Sequence, residues 1–281
     1  MSLGDEKLNI GNDKEELIDK VIKNSPALDG KLVERKTQIL TCLSDDFIDK
    51  TAELLKKDEQ KSKQKNERFI LEEKLYGRFF ESLCYFEFAP ESQTALRILF
   101  AMRHAKELGI LELIGSNPDL VSVEVDENTK KVDILSVGDA TTQRKLGFHK
   151  YTQLREEGFT RTVHNWVKLF RDPEKVAMYK LQSVIGDNRT LDISDRFVQR
   201  VILPSDSDIT NPSELIEESE FEGMNKELNK FRDLVNDESK VRLVKSTMSR
   251  NDLRQISQFV LEKLGEKGVV ENRSGRWVLK V

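Results

Sequence analysis

Two short runs rich in β-branched residues, 120–125 and 132–137, stand close together in a chain whose other apolar residues mostly recur at helical spacing. The polar stretch between them, 126–131, predicts a hairpin. An acid marks each strand: the first opens at Asp119, after Pro118, and the second ends at Asp139, after Gly138. A charge that closes an apolar strand beside a glycine is unusual, because both residue types disfavour strands. Asp139 is therefore a stronger functional candidate than the Pro118–Asp119 pair, which is also an ordinary turn or cap signal.

Helices are expected on both sides of this hairpin. Residues 13–57 predict two or three amphipathic helices through Leu17, Ile18, Val21, Leu32, Ile39, Leu43, Phe47, Leu54 and Leu55, with Ser44, Asp45 and Asp46 as one helix start. The charged stretch 56–67 predicts a solvated helix face or a linker. Longer helices are expected over 67–86 and 92–108, the second closed by Gly109, and a polar one over 148–170, broken near Gly158. Two further strand-like runs lie around 181–185 and 197–203. Near the C-terminus, 249–264 predicts a helix that Ser249 caps and Gly265 ends, followed by a hairpin over 268–273 and 276–281.

Composition narrows the chemistry. The chain has 281 residues, 37% hydrophobic and 34% charged, and no apolar run near the roughly 20 residues of a membrane span, so a globular protein without a membrane segment is expected. Two cysteines, Cys42 and Cys84, and no apolar leader predict a reducing, cytoplasmic setting. Neither they nor His104, His149 and His164 have the spacing of a zinc or iron–sulfur site, which leaves hard cations held by carboxylates. The net charge of -4 offers no general attraction to nucleic acid, but it is unevenly spread. Residues 205–239 hold eleven acids against three basic groups, and residues 240–281 hold ten basic groups against four acids. Such a reversal suggests a module boundary.

Four segments carry a specific likeness: GRFFE at 77–81, NPDLVSVEV at 117–125, VDILSVGDAT at 132–141 and HKYTQL at 149–154. Over residues 70–170 the chain resembles the PD-(D/E)XK superfamily of restriction-endonuclease-like and RecB-like nucleases. The resemblance implies an α/β fold, a mixed sheet flanked by helices. It also implies Glu81, Asp119 and Asp139 as ligands for Mg²⁺ or Mn²⁺, and Gln153 as a helical residue beside them. The family's lysine, expected two residues after Asp139, is replaced by Thr141. Either Lys145 or Lys150 reaches in from the following loop and helix, with Lys145 the expected catalytic substitute, or the site is degenerate and the fold serves as a binding scaffold. His149 and Lys150 could also meet a phosphate at the mouth of the site. Arg161, His164 and Lys168 read as a solvated helix face and Trp166 as core.

The last 33 residues resemble the final helix and wing of a winged helix. That likeness implies DNA contact through Arg250, Arg254, Arg273 and Arg276. The expected organisation is a helical region over 1–66, a nuclease-like core over 67–204, an acidic linker or helix over 205–239 and a winged-helix-like module over 240–281. The expected function is metal-dependent cleavage of DNA phosphodiester bonds. The alternatives are a DNA-binding or regulatory scaffold without activity and an adaptor. A homodimer or protein partner could then dock through the helical N-terminus or the winged C-terminus.

Overall fold

The computed structural model describes residues 44–64, 66, 69–88, 93–107, 116–186 and 188–280. The helices expected over 13–43, together with Cys42 and the Gly109 stop, lie outside these residues. The chain is mixed α/β and divides into two compact units, Met1–Leu83 with Thr247–Val281, and Cys84–Ser246. The described residues within 44–83 and 247–280 thus share one unit, where sequence reading expects separate N- and C-terminal modules.

The second unit is built on a four-stranded mixed sheet. Its strands are β1 (Leu120–Asp126), β2 (Lys131–Ala140), β3 (Thr190–Leu203) and β4 (Val241–Lys245), in the order β1-β2-β3-β4. β1 and β2 form the expected antiparallel hairpin, and β3 and β4 follow parallel to β2. At the hairpin turn the Asp126 carboxylate accepts the N–H of Asn128 at 2.8 Å and the hydroxyl of Thr129 at 2.7 Å, while Lys130 takes the left-handed conformation at φ 56. The Thr129 hydroxyl, followed by the Asn128 and Thr129 N–H groups, holds this carboxyl below the usual range.

In the same unit, α3 (Gln93–Glu107) precedes the hairpin, and α4 (Phe148–Leu154), a π-helical turn (Glu156–Thr160) and α5 (Arg161–Arg171) follow it. Their buried side chains Ile98, Tyr151, Leu154 and Trp166 share a core with Val121, Val132, Ile134 and Val137 of the hairpin. The break expected near Gly158 is present: this residue has φ -88 and ψ -115, inside an otherwise helical run. A Cβ there would overlap the carbonyls of Gln153 and Thr152. On α5, Arg161, His164 and Lys168 are exposed and Trp166 is buried, as their spacing predicts.

Two expectations need correction. The run 181–185 is not a strand; after α6 (Pro173–Met178) it forms α7 (Gln182–Ile185), ended by Gly186 at φ 98. Five residues are too few to show a period, and the buried Leu181 and Ile185 suit a helical spacing of four as well as a strand. Nor does Gly265 end the last helix, which runs through it to Glu266. Of the two forms expected for 205–239, linker or helix, the helix is present. Two 3₁₀ turns (Pro212–Leu215 and Glu218–Phe221) and α8 (Asn225–Asn236) bury Leu215, Ile216, Phe221, Phe231 and Val235 in the core. The acids occupy the exposed positions between these apolar ones, so charge counting alone hides the amphipathic pattern.

The first unit contains α1 (Asp45–Gln64), the N-terminal part of α2 (Leu71–Phe88), α9 (Arg250–Glu266) and the hairpin β5 (Val270–Arg273) with β6 (Arg276–Leu279). α1 runs through the charged stretch as a solvated helix and buries Ile48, Ala52 and Leu55 on one stripe. Phe47 stacks on Phe79 with ring centroids 5.5 Å apart, the Tyr76 hydroxyl donates to the Arg250 carbonyl, and the Glu72 carboxylate accepts the Trp277 N–H at 2.8 Å. The expected α9 cap is a full capping box: the Ser249 hydroxyl accepts the Asp252 N–H, and the Asp252 carboxylate accepts the Ser249 N–H. Replacing Ser249 with Ala should lower stability by about 1 kcal/mol in urea denaturation, with an unchanged m-value.

Candidate functional site

The antiparallel register pairs Leu120 with Gly138 at one end of the hairpin, with Asp119 just before β1 and Asp139 next to last in β2. The Asp119 N–H donates to the Gly138 carbonyl at 2.8 Å, and its carboxylate accepts the Ala140 N–H at 2.9 Å. Asp139 is buried, and a buried carboxylate needs a cation as counter-charge.

That cation is the Lys150 ammonium, which pairs with the Asp139 carboxylate; both residues are only 6% exposed. The other oxygen of Asp139 accepts the Gln153 side-chain N–H at 3.4 Å. Lys150 and Gln153 lie three residues apart on α4 and therefore face the same way. The Gln153 Oε1 is buried with no hydrogen-bond partner, an unusual condition for a buried polar atom.

A bulge in β2 aims Asp139 at α4. Ser122 pairs with Ser136 but Val123 pairs with Ile134, leaving Leu135 as the extra residue. Against β3 the register also jumps, from Ile134 with Ile193 to Ser136 with Val198. Strict alternation would put Asp139 on the face opposite Val132 and Ile134. The bulge moves Val137 and Asp139 onto their face, and Val132, Ile134 and Val137 all join one core.

α4 is itself held from the acidic segment. The Glu220 carboxylate accepts the Phe148 N–H at 2.7 Å, and it lies where a Cβ at Gly147 would be. Phe148 and Tyr151 pack on Phe221, and Tyr151 also on Phe231, with ring centroids 5.4–5.9 Å apart. A carboxylate at the first turn of a helix meets unsatisfied N–H groups and the positive end of the dipole.

The residues singled out in the sequence divide into groups. Asp139, Lys150 and Gln153 come together, and the Asp119 carboxylate holds the Ala140 N–H next to Asp139. Lys145 does not join them: it is exposed, and its ammonium donates to the Glu214 carbonyl. Thr141 is buried, and its hydroxyl accepts the Gln143 N–H at 3.3 Å, a local turn contact. Glu81 belongs to the first unit, where it is exposed and lines a polar groove with Asp58, Lys61 and Arg78. In that unit Arg254, Arg273 and Arg276 are exposed and Arg250 is buried. Lys150 is turned inward, away from the surface role of a phosphate contact. Sequence reasoning offered Lys145 and Lys150 as substitutes and favoured the former. The signal for the latter was available, since Lys150 shares a helix face with Gln153, and Lys145 precedes the helix.

Among the described residues no three Asp, Glu, His or Cys side chains form a group able to hold a metal ion. Mg²⁺ and Mn²⁺ commonly take only one or two protein carboxylates and complete their shells with water, and Asp119 and Asp139 are the two carboxylates at this end of the hairpin. Comparison with protein-family models, with curated proteins and with solved structures finds no match to this chain.

Removing the cation from this corner has a calculable consequence. Lys150→Met leaves the Asp139 carboxylate buried without a counter-charge and should cost about 3–5 kcal/mol in chemical denaturation. Lys150→Met combined with Asp139→Asn should recover most of that loss. A single-variant cost below about 1 kcal/mol would show that the pair is not the buried ion pair described.

Proposed function

We propose that the second unit is a metal-dependent nuclease-like domain acting on DNA phosphodiester bonds, with Lys150 in the role that Thr141 cannot fill. The observation that carries this reading is the buried group of Asp139, Lys150 and Gln153 at a strand end, with Asp119 bonded to the neighbouring Ala140 N–H. A carboxylate and a lysine meeting there, with a second carboxylate at the same end of the hairpin, suit the chemical needs of phosphodiester hydrolysis: anionic ligands for a divalent ion and a fixed positive charge for the phosphate.

Asp119 and Asp139 would hold Mg²⁺ or Mn²⁺, which when bound supplies Lewis acidity toward the scissile phosphate and lowers the pKa of water. Lys150 would neutralise charge that develops on the non-bridging oxygens. Gln153 would orient Asp139 through its N–H. The proposal rests on residues of the second unit. The helix and hairpin of α9, β5 and β6 resemble the end of a winged helix, and exposed Arg254 and Arg276 would add phosphate contacts there.

A second reading has its own observation. Both Asp139 oxygens already have internal partners, and Asp119 is engaged by Ala140 N–H, as in a corner that serves structure. The domain would then be a DNA-binding or regulatory scaffold without activity.

Incubation with linear, circular and single-stranded DNA in Mg²⁺ or Mn²⁺ separates the two. The nuclease reading expects cleavage that falls by about 100-fold or more in Asp139→Ala and in Lys150→Met, against wild type and a Lys145→Ala control. Cleavage that survives Asp139→Ala removes the catalytic assignment. DNA binding that weakens steeply with salt, without cleavage in either metal, supports the scaffold.

A further inference from the structure

The two faces of the sheet carry their charges differently. On β3, the Gln199 Nε2 donates to the Leu154 carbonyl of α4, and Val201 and Leu203 belong to the core that α4 and α5 share. Side chains alternate along a strand, so Arg200 projects from the other face. On β4, Val241 belongs to the same core, which sends Arg242 to that other face as well. The parallel register pairs Arg200 directly with Arg242, and on its other side pairs Arg200 with Gly138. Asp139 follows Gly138 and meets Lys150 of α4, so the two arginines lie on the sheet face opposite the acidic corner.

Two guanidiniums on laterally paired strand positions repel, and like charges so placed destabilise a sheet. Elsewhere in this unit arginines are matched by acids: Arg196 pairs with Glu124 at 3.1 Å, Arg171 with Asp192 at 3.0 Å, and Arg189 with Glu127. Here the match is missing. Among the described residues no carboxylate pairs with Arg200 or Arg242, and Arg200 makes no hydrogen bond. Arg242 gives its Nε to the Glu238 carbonyl at 3.3 Å, which leaves both terminal nitrogens to donate elsewhere.

Arg242 is exposed, but Arg200 is half-buried. Burial lowers the Arg200 pKa, and the Arg242 charge acts in the same direction, with no acid to oppose them. A guanidinium that has lost part of its hydration and gained a like-charged neighbour is a net cost to the fold. β2 does nothing to relieve it. A Cβ at Gly138 would meet Arg200 Cβ at 3.6 Å and Leu120 Cβ at 3.7 Å, both ordinary contacts, so packing would accept a side chain where glycine leaves no group to pair with Arg200.

The missing partner is therefore an anion from outside the chain. Its chemistry follows from the pair. A carboxylate carries one charge and has two oxygens, which suit one guanidinium fork. Two forks side by side suit a tetrahedral group with two negative charges and oxygens for both, and arginine is well shaped for phosphate. A phosphate monoester or inorganic phosphate carries close to two charges near neutral pH. A phosphodiester carries one.

We propose that Arg200 and Arg242 bind a dianionic phosphate group, inorganic phosphate or a phosphate monoester, bridged between their guanidiniums. This site is independent of the nuclease reading, and its test involves no cleavage.

Thermal unfolding of the full chain is followed at constant ionic strength, with and without millimolar inorganic phosphate. Phosphate should raise the wild-type midpoint by about 2 °C or more. Arg200→Met keeps the apolar stem and removes the charge; without phosphate it should melt no lower than wild type, and it should not respond to phosphate. Arg242→Met, at an exposed position, should fold as wild type does and lose the response too. Isothermal titration with phosphate should show affinity about five-fold or more weaker in either variant. In the same titration, an oligonucleotide that binds more tightly with a 5′-phosphate than without one identifies a strand end as the source of the group, and equal binding of the two identifies a small phosphate compound. No shift of the wild type, or a shift that both variants share, as general salting-out would give, overturns the proposal.

Discussion

Asp139 takes a carboxylate into a layer otherwise made of Val137, Tyr151 and Leu154, and much of the second unit can be understood as what keeps that charge there. An ion at 6% exposure is stable only with a counter-ion and hydrogen bonds close by. Lys150 and Gln153 supply both from α4, so the position and rotation of this seven-residue helix become critical. A helix of that length has little stability of its own. It is held by the Glu220 carboxylate at its first turn and by the aromatic contacts of Phe221 and Phe231 along its side. The acidic segment 205–239 thereby acquires a structural purpose: its apolar residues build the wall behind α4, and one of its acids caps the helix.

The bulge at Leu135 is the second element of the same arrangement. Without the extra residue, Asp139 would face away from α4 and the ion pair could not form. β2 thus turns Val132 and Ile134 inward, shifts by one, and then turns Val137 and Asp139 inward, which places apolar support directly before the charge on one face. Both readings of the corner rest on this shift, because a lysine could not neutralise an acid on the other side of the sheet.

α4 divides its work between its faces. Lys150 and Gln153 serve the acidic corner, and Tyr151 and Leu154 line a separate cleft, where Gln199 holds the Leu154 carbonyl that the π-helical turn leaves open. Gly158 makes that turn possible, because a side chain there would occupy the space of the Gln153 and Thr152 carbonyls. The two polar environments are therefore linked through a single short helix and the irregular turn behind it.

The hairpin, its polar turn, the helix broken near Gly158 and the Ser249 cap were legible in the sequence because each rests on local rules: alternation, turn chemistry and capping. The choice of Asp139 was legible for the same reason, as a charge closing an apolar strand. Lys150 was open only as an alternative, since spacing shows that it shares a face with Gln153 but not which way that face turns. The role of 205–239 and the joining of residues 44–83 with 247–280 in one unit were hidden, because each depends on contacts between residues far apart in the chain. By itself, then, the sequence determined the β1–β2 hairpin, the Ser249 helix start and the acid that closes β2. Tertiary structure alone decided the bulge that turns Asp139 inward, the lysine that meets it and the Glu220 cap. These are set by packing and by the need to neutralise a buried charge, neither of which is encoded in neighbouring residues.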